Sequence, residues 1–341
     1  MFTYAVDIMG GDLGPRVALK ACRRFLRFRR DVNLIVTTTA EFESEARSIL
    51  SLRKNNIRIR VCENAICMDD KPAQMLRKGL TSTMAAALQE CAEGRALGMV
   101  SAGNTGALLV LSRHILGMVP GIDRPALATL LPTRKAPLLM LDLGANLAAS
   151  PEQLVQFAAL GTAWFESQND TTARLGLLNI GRESAKGTDA IKQTADYLAQ
   201  ALPDRYLGFY EGDDIYKGEL DVLVTDGFAG NITLKASEGL SEWMQELIHK
   251  EFRQHWLMRW FAFLWLPAVR NIEKRISPAR HGGALLLGLK GVVVKTHGKS
   301  DARAFRYALK YLHKTSARFD LQKISQCVEK TQQSLPSCTD D

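Results

Sequence analysis

A doubly wound α/β protein with a mostly parallel sheet is what this chain's pattern dictates. Short apolar runs alternate with helical segments, as in FTYAVDI then VALKACRRFLRF, or LGMVSA then ALLVLSRHILG. Between run and helix stands a loop rich in Gly, Asn and Asp. The helix starts carry capping signals, such as Ser150-Pro151-Glu152-Gln153, with a capping hydroxyl, Pro at the first helical position and Gln three residues after the cap. Strands alternating with helices at this spacing build a parallel sheet covered on both faces.

Taken in order, FTYAVDI, NLIVTT, IRIRVCE, LGMVSA, PLLMLDL, LGLLNI, YLGFYEG, DVLVTD and GVVVKTHG read as strands. Helices are expected at 41–53, 83–93, from Pro151, at 188–201, after GFAGN and at 301–314, where Ser300-Asp301 offers a cap and an acidic first turn. No repeat or Pro/Ser linker divides the chain, so one domain is expected over 1–318, followed by a polar C-terminal tail over 319–341.

Composition excludes several classes. A chain of 341 residues, 46% hydrophobic and 23% charged, suits one large globular core. Its formal charge of +8 favours acidic partners without separating lipid, protein and nucleic acid. No recognised nucleic-acid motif accompanies that charge. Six cysteines without CxxC and six histidines without HExxH offer no dedicated metal site, and scattered thiols fit a reducing cytosol. MFTYAVDIMGGD lacks a basic leader region, so secretion is not expected. The longest apolar run, Trp256 to Val269, is broken by Arg259 and Pro267 and falls short of the roughly 20 residues a spanning helix needs.

Ligands of open α/β sheets bind outside the carboxyl ends of strands. Six Gly/Asn/Asp loops qualify: Gly10-Gly11-Asp12-Leu13-Gly14, Ala102 to Gly106, Leu143 to Asn146, Gly181 to Gly187, Asp226 to Asn231, and His297-Gly298. Any one of them is explained by a tight turn; six together point to an anion site. GxGxxG, Walker and GxSxG patterns are missing, since GGDLG and GALLLGLK have the wrong spacing. The inventory of amides, backbone donors, Lys186, Lys235, Lys295 and His297 suits holding an anion and stabilising an oxyanion. His297 reads equally as a proton donor or phosphate ligand and as a packed or capping ring. Lys186 sits in a loop and is the better phosphate candidate; Lys295, at the end of an apolar strand, reads as structural.

The chain resembles a known family, the bacterial phosphate acyltransferases of phospholipid synthesis. The likeness runs over residues 3–314 through DIMGGDLGP, KPAQMLRKG, SAGNTGAL, DRPALATLLPT, LDLGAN, LLNIG, KGTD, EGDDIYKGELDVLVTDGFAGNITLK and GGALLLGLKGVVVKTHG. It implies an isocitrate/isopropylmalate-dehydrogenase-like fold and a homodimer. It also implies cofactor-free transfer of a long acyl chain from acyl carrier protein to inorganic phosphate. The acyl phosphate then passes to a membrane glycerol-3-phosphate acyltransferase, and the enzyme sits in the cytoplasm, peripherally on the inner face of the cell membrane. Departures from the pattern stand at Leu147 to Ser150, Arg182, Ala185 and His281.

On that basis Lys186, Asp226, Asn231 and His297 are the expected catalytic residues, with no metal. Gly10, Gly11, Asp12, Gly103, Asn104, Thr105, Asn146 and Gly230 are expected to bind phosphate or the oxyanion. An amphipathic helical hairpin is expected near 240–275. In FRQHWLMRWFAFLWLP (252–267), three of the chain's five tryptophans stand among arginines. That stretch either packs against the core or a second subunit, or lies in the membrane surface through Phe252, Trp256, Trp260, Phe261, Phe263, Leu264 and Trp265; the resemblance favours the membrane. Arg23, Arg24 and Arg27 are a candidate docking surface for the acidic carrier, or a solvated helix end. The alternatives are an NAD(P)-dependent decarboxylating dehydrogenase, a short-chain phosphotransacetylase and a non-catalytic membrane scaffold.

Overall fold

Among the described residues eleven strands form one sheet, its central strands buried on both sides and its edge strands Ile57–Cys62 and Tyr206–Tyr210 partly exposed. In a computed structural model, residues 1–254 and 283–334 are described, without side chains for 52–54, 249 and 251–254. The strands are β1 (Phe2–Asp7), β2 (Val32–Thr39), β3 (Ile57–Cys62), β4 (Gly98–Ser101), β5 (Ala126–Leu131) and β6 (Leu138–Leu141). They continue with β7 (Leu175–Leu178), β8 (Tyr206–Tyr210), β9 (Val222–Val224), β10 (Ala284–Leu287) and β11 (Val292–Lys295). Their order is β3-β2-β1-β4-β11-β10-β5-β6-β9-β7-β8. In β4, β6, β9 and β11 every residue is buried, the signature of a sheet covered on both faces.

Seven of the ten joins are parallel, as the pattern predicts; β11–β10, β10–β5 and β5–β6 are antiparallel. Strands β5 and β10 are therefore additions to the expected set. They reverse the chain direction at mid-sheet, so β6, β9, β7 and β8 run opposite to β1, β4 and β11.

The helices are α1 (Pro15–Phe28), α2 (Ala40–Leu50), α3 (Met75–Lys78), α4 (Thr83–Ala92) and α5 (Thr105–Ile115). After them come α6 (Pro151–Asn169), α7 (Asp189–Ala201), α8 (Gly227–Gln254), α9 (Ala302–Ser316) and α10 (Leu321–Gln333). Successive strand residues point to opposite faces. Tyr4 and Val6 accordingly join the cluster beneath α1, α6 and α9, and Ala5 and Met99 the one beneath α4 and α5. The capping box at Ser150/Gln153 forms as read. Asp301, not Ser300, caps α9, accepting from Arg303 and Ala304; Ser300 Oγ instead bonds Thr296 Oγ1.

One expectation is corrected here, and another is narrowed. Residues 321–333, assigned to a polar tail, form α10, which buries Ile324, Val328 and Thr331 against α6. Their apolar residues repeat at helical spacing, and Asp320 caps the start. The stripe Leu240, Trp243, Met244 and Leu247 on α8 recurs at the spacing of a core-facing or dimer-facing helix, and in the single chain it is exposed, so it does not face the core.

Candidate functional site

The first group of loops leaves the carboxyl ends of β1, β4 and β11. Gly10 is forced by contact: a Cβ there would lie 2.5 Å from Gly103 Cα. Asp12 N–H donates to Gly298 O at 2.9 Å, and Thr296 N–H to Ser101 O at 2.9 Å, so three loops are stitched together. Beneath them Ser101 Oγ donates to Asp7 Oδ2 at 2.7 Å and accepts from Gly103 N–H at 3.0 Å. Asp7 is buried; burial raises its pKa, while hydrogen bonds from Ser101, Thr83 and Met9 oppose the rise.

Lys295 and His297 end this group. Burial pushes the Lys295 ammonium down to about 8, with Asp12 opposing and Lys235 adding to the shift. Partial burial also lowers His297, as do Lys235 and Lys295, against Glu238 and Asp12. His297 Nδ1 accepts from Lys299 N–H at 3.2 Å, so the neutral ring carries its proton on Nε2.

The second group follows β6, β9 and β7. Asp142 is its anchor, accepting from the N–H groups of Leu127, Gly144, Ala145 and Asn146 and from Asn146 Nδ2. Gly230 has no room for a side chain, since a Cβ would lie 1.9 Å from Asp142 O. Asp226 caps α8 by accepting from Ala229 N–H at 2.8 Å. Asn231, one turn further, is exposed and stands beside Gly144. In the third loop Asn179 Nδ2 donates to Lys186 O, while Lys186 Nζ pairs with Glu183 at 3.0 Å.

Strand reversal sends these two groups out of the sheet in opposite senses, and α8 bridges them. Asn231 and Lys235 are four residues apart and share one helix face, separated by about 6 Å of rise. The first touches the Gly144 loop; the second acts electrostatically on Lys295 and His297. Gly10, Gly11, Asp12, Gly103, His297, Asn231 and Gly230 are thereby gathered around one stretch of helix.

Other expected residues fall into different positions. Asn104 caps α5 through Oδ1 and spends its amide on Met68 O and Asp70 O, so its side chain is engaged in structure. Thr105 is the first residue of α5. Asn146 gives its amide to Pro125 O and Asp142, shaping the loop from within. Arg182 has a local partner in Asp214, which is held down to about 2 by Lys217 and Arg182 despite burial. Arg23, Arg24 and Arg27 are exposed in the last half of α1, and Arg24 borders a groove of about 760 Å³ with Arg306, Lys310 and Lys314. The side chain of Phe252, and Trp256, Trp260, Phe261, Phe263, Leu264, Trp265 and His281 entirely, lie outside the described residues. Asp7, Ser101 and Asp142 were missed by sequence reasoning; their only signal is a polar residue closing an apolar strand.

Among the described residues no group of side chains forms a metal cluster, and no helix is long and apolar enough to cross a membrane. Amides, cations and a neutral imidazole around glycine loops equip the site for group transfer to or from an anion.

The chain belongs to the fatty acid synthesis protein family, whose model matches residues 2–318. It is 44% identical over 309 residues to a phosphate acyltransferase of Chromobacterium violaceum, covering 90% of this chain and 89% of that one. Over 306 residues it is 42% identical to the phosphate acyltransferase of Pseudomonas syringae, covering 89% and 90%. At such identity across nearly the whole length, the chain is an acyltransferase of the phosphate acyltransferase family. Solved structures share the fold at low identity. A phosphotransacetylase of Staphylococcus aureus has a TM-score of 0.60 at 13% identity, with 93% and 94% of the two chains covered. One from Streptococcus pyogenes has 0.59 at 18%, covering 96% and 94%.

Proposed function

We propose that the protein transfers a long-chain acyl group from acyl carrier protein to inorganic phosphate, releasing acyl phosphate for phosphatidic acid synthesis. The observation that carries this reading is 40–44% identity to phosphate acyltransferases across nine-tenths of the chain. The site supports it, because the reaction needs an anion held against a thioester and an oxyanion stabilised, and asks for no covalent nucleophile.

A phosphate oxygen attacks the thioester carbon, forming the C–O bond as the carbonyl electron pair moves to oxygen. Collapse of the tetrahedral intermediate breaks the C–S bond and expels the thiolate. Asn231, at the head of α8, and the Gly10 and Gly103 loops orient the reactants and offer donors. Neutral His297 presents its Nε2–H to the oxyanion or the departing sulfur. Asp226 holds the first turn of α8 in place, and Lys186 neutralises charge at the rim.

The same reading extends to partners. Arg23, Arg24 and Arg27 receive the acidic carrier. The exposed stripe Leu240, Trp243, Met244 and Leu247 packs against a second copy in a homodimer. The 252–267 segment lies on anionic membrane, delivering product to a membrane glycerol-3-phosphate acyltransferase. Liposome flotation tests that last part: Trp256→Glu with Trp260→Glu abolishes binding, and unchanged binding refutes it.

For the reaction itself, the protein is incubated with palmitoyl acyl carrier protein, with and without phosphate, and product is trapped with hydroxylamine. Phosphate-dependent hydroxamate without added cofactor is expected. Its absence, with carrier and thioester intact, refutes the reading.

A further inference from the structure

Lys295 closes β11 in register with Ser101 on β4, which stands opposite Asp7 on β1. Residues in lateral register on parallel strands point to the same face, and the Ser101–Asp7 hydrogen bond shows that this row is polar and buried. Lys295 is 7% exposed. Its Nζ donates to Thr296 O, which leaves further N–H donors on an ammonium that is out of water.

Buried charges in proteins are paired or hydrogen-bonded, because an isolated one is costly. The other buried charged groups among the described residues obey that rule. Glu90 meets Arg60 and Arg95, Asp214 meets Arg182 and Lys217, and Asp221 meets Arg174. Asp142 accepts backbone N–H groups, and Asp7 accepts from Ser101 and Met9. Lys295 is the one buried cation among the described residues; like Asp7 and Asp142 it has a hydrogen bond but no ion pair, and it differs from them in having only one acceptor, Thr296 O, for its three N–H groups. A lysine kept for packing would run its stem along apolar surface and leave its head in water; this one buries the head.

The position of that head is specific. It lies beneath loops whose glycines bring Gly10 and Gly103 into backbone contact, and within electrostatic reach of Asp12, Lys235 and His297. Lys235 is exposed and paired with Glu238, and Lys186 is half-exposed and paired with Glu183, so both have local counter-charges. Among the described residues Lys295 is the buried cation with no paired carboxylate, which leaves it open to an incoming anion.

We propose that Lys295, rather than Lys186, supplies the buried positive charge that binds orthophosphate in this site. The proposal rests on the acyl-transfer reading for the identity of the anion. An incoming phosphate completes the ion pair that the fold leaves open, and the dry setting makes the contact strong.

The test compares wild type, Lys295→Met, Lys295→Arg and Lys186→Ala as full chains. Thermal melts with and without inorganic phosphate give a readout that needs no acyl donor. Wild type is expected to gain stability with phosphate, Lys295→Met to lose that gain, and Lys295→Arg to keep part of it. In steady-state assays Lys295→Met raises the phosphate KM by about tenfold or more while the carrier KM stays near wild type. Lys295→Met, which removes an unpaired buried charge, is expected to melt no lower than wild type without phosphate, whereas a structural lysine would leave a defect. A wild type that phosphate does not stabilise, or a Lys295→Met that keeps both the phosphate response and the phosphate KM, overturns the proposal. So does loss of the response in Lys186→Ala alone. Normal phosphate binding by wild type without hydroxamate formation would sink the acyl-transfer reading and leave Lys295 in place.

Discussion

Asn231 Cβ stands 3.4 Å from the point where a side chain on Gly144 would begin. Gly144 has φ 118°, a conformation that L side chains rarely adopt, so the loop after β6 can pass beneath the first turns of α8 only as glycine. This contact ties the second loop group to the helix that carries Lys235 to the first. The site depends on a helix lying across the seam of the sheet, and substitutions on either side of that contact should separate chemistry from folding.

Asn231→Ala removes an exposed amide that makes no hydrogen bond to other described residues, so the fold has little to lose. The melting temperature is expected to stay within about 1–2 °C of wild type, as for surface substitutions worth under about 0.5 kcal/mol. Loss of an oriented donor at a developing oxyanion lowers kcat by about 10². A kcat within twofold of wild type, measured by hydroxamate formation, would remove Asn231 from the chemistry. Gly144→Ala should lower both activity and melting temperature, because it strains the loop and displaces Asn231 together.

The pH dependence of phosphate use follows from Lys295. Burial holds its pKa at about 8 in the free protein, so the ammonium that binds phosphate is lost as pH rises through that value. Asp12, Lys235, His297 and Glu238 face the same space; burial and the neighbouring lysines lower His297 from its ordinary value, which moves its titration away from the alkaline limb assigned to Lys295. The phosphate KM is expected to climb by up to about tenfold per pH unit above 8. Lys295→Arg removes that limb, since guanidinium keeps its proton throughout the range. An identical alkaline limb in both proteins would assign it to another group.

Stability should move the other way. The folded pKa of Lys295 is depressed below the usual 10.5, so between about 8 and 10.5 the unfolded chain binds the extra proton. Unfolding free energy contributed by this residue therefore rises with pH through that window, by about 3 kcal/mol at most. Lys295→Met should flatten this rise when denaturant midpoints are compared at pH 7.5 and 10. A wild-type curve no steeper than the mutant's would show that the ammonium is stably compensated in the fold.

Much of this fold is legible in the sequence because many parallel strands are β-branched or aromatic runs between turn residues, as in NLIVTT or GVVVKTHG, while the Leu-rich LLML and LGLL are marked by the Asp/Gly and Asn/Gly turns that follow them. Strands β5 and β10 escape for the same physical reason. ALATLL and ALLL are built from Ala and Leu, strong helix formers, and the sheet imposes the extended state on them through neighbours on both sides. Since these strands reverse the sheet's direction, sequence alone pictures six loops at one sheet end, whereas the structure joins two groups through α8. Lys295 shows a related limit. An apolar strand with a terminal lysine looks like packing until the missing counter-charge becomes visible in three dimensions. Asn104 errs in the opposite direction, because a Gly-Asn-Thr-Gly loop advertises donors that the fold consumes in capping α5 and fastening the 68–70 segment.

Helix α10 supplies a prediction about stability alone. Val328 is fully buried where α10 meets α6, and Cys327 Sγ lies 3.9 Å from Ala159 O beside it. Val328→Asp puts an unpaired carboxylate into this contact and should cost about 2–4 kcal/mol, seen as a lower denaturant midpoint. The site loops lie on β1, β4, β6, β9 and β11, none of which α10 supplies, so kcat at a temperature where the variant remains folded should match wild type. An unchanged midpoint would mean that α10 is a loosely attached appendage and that the polar-tail reading was nearer the truth.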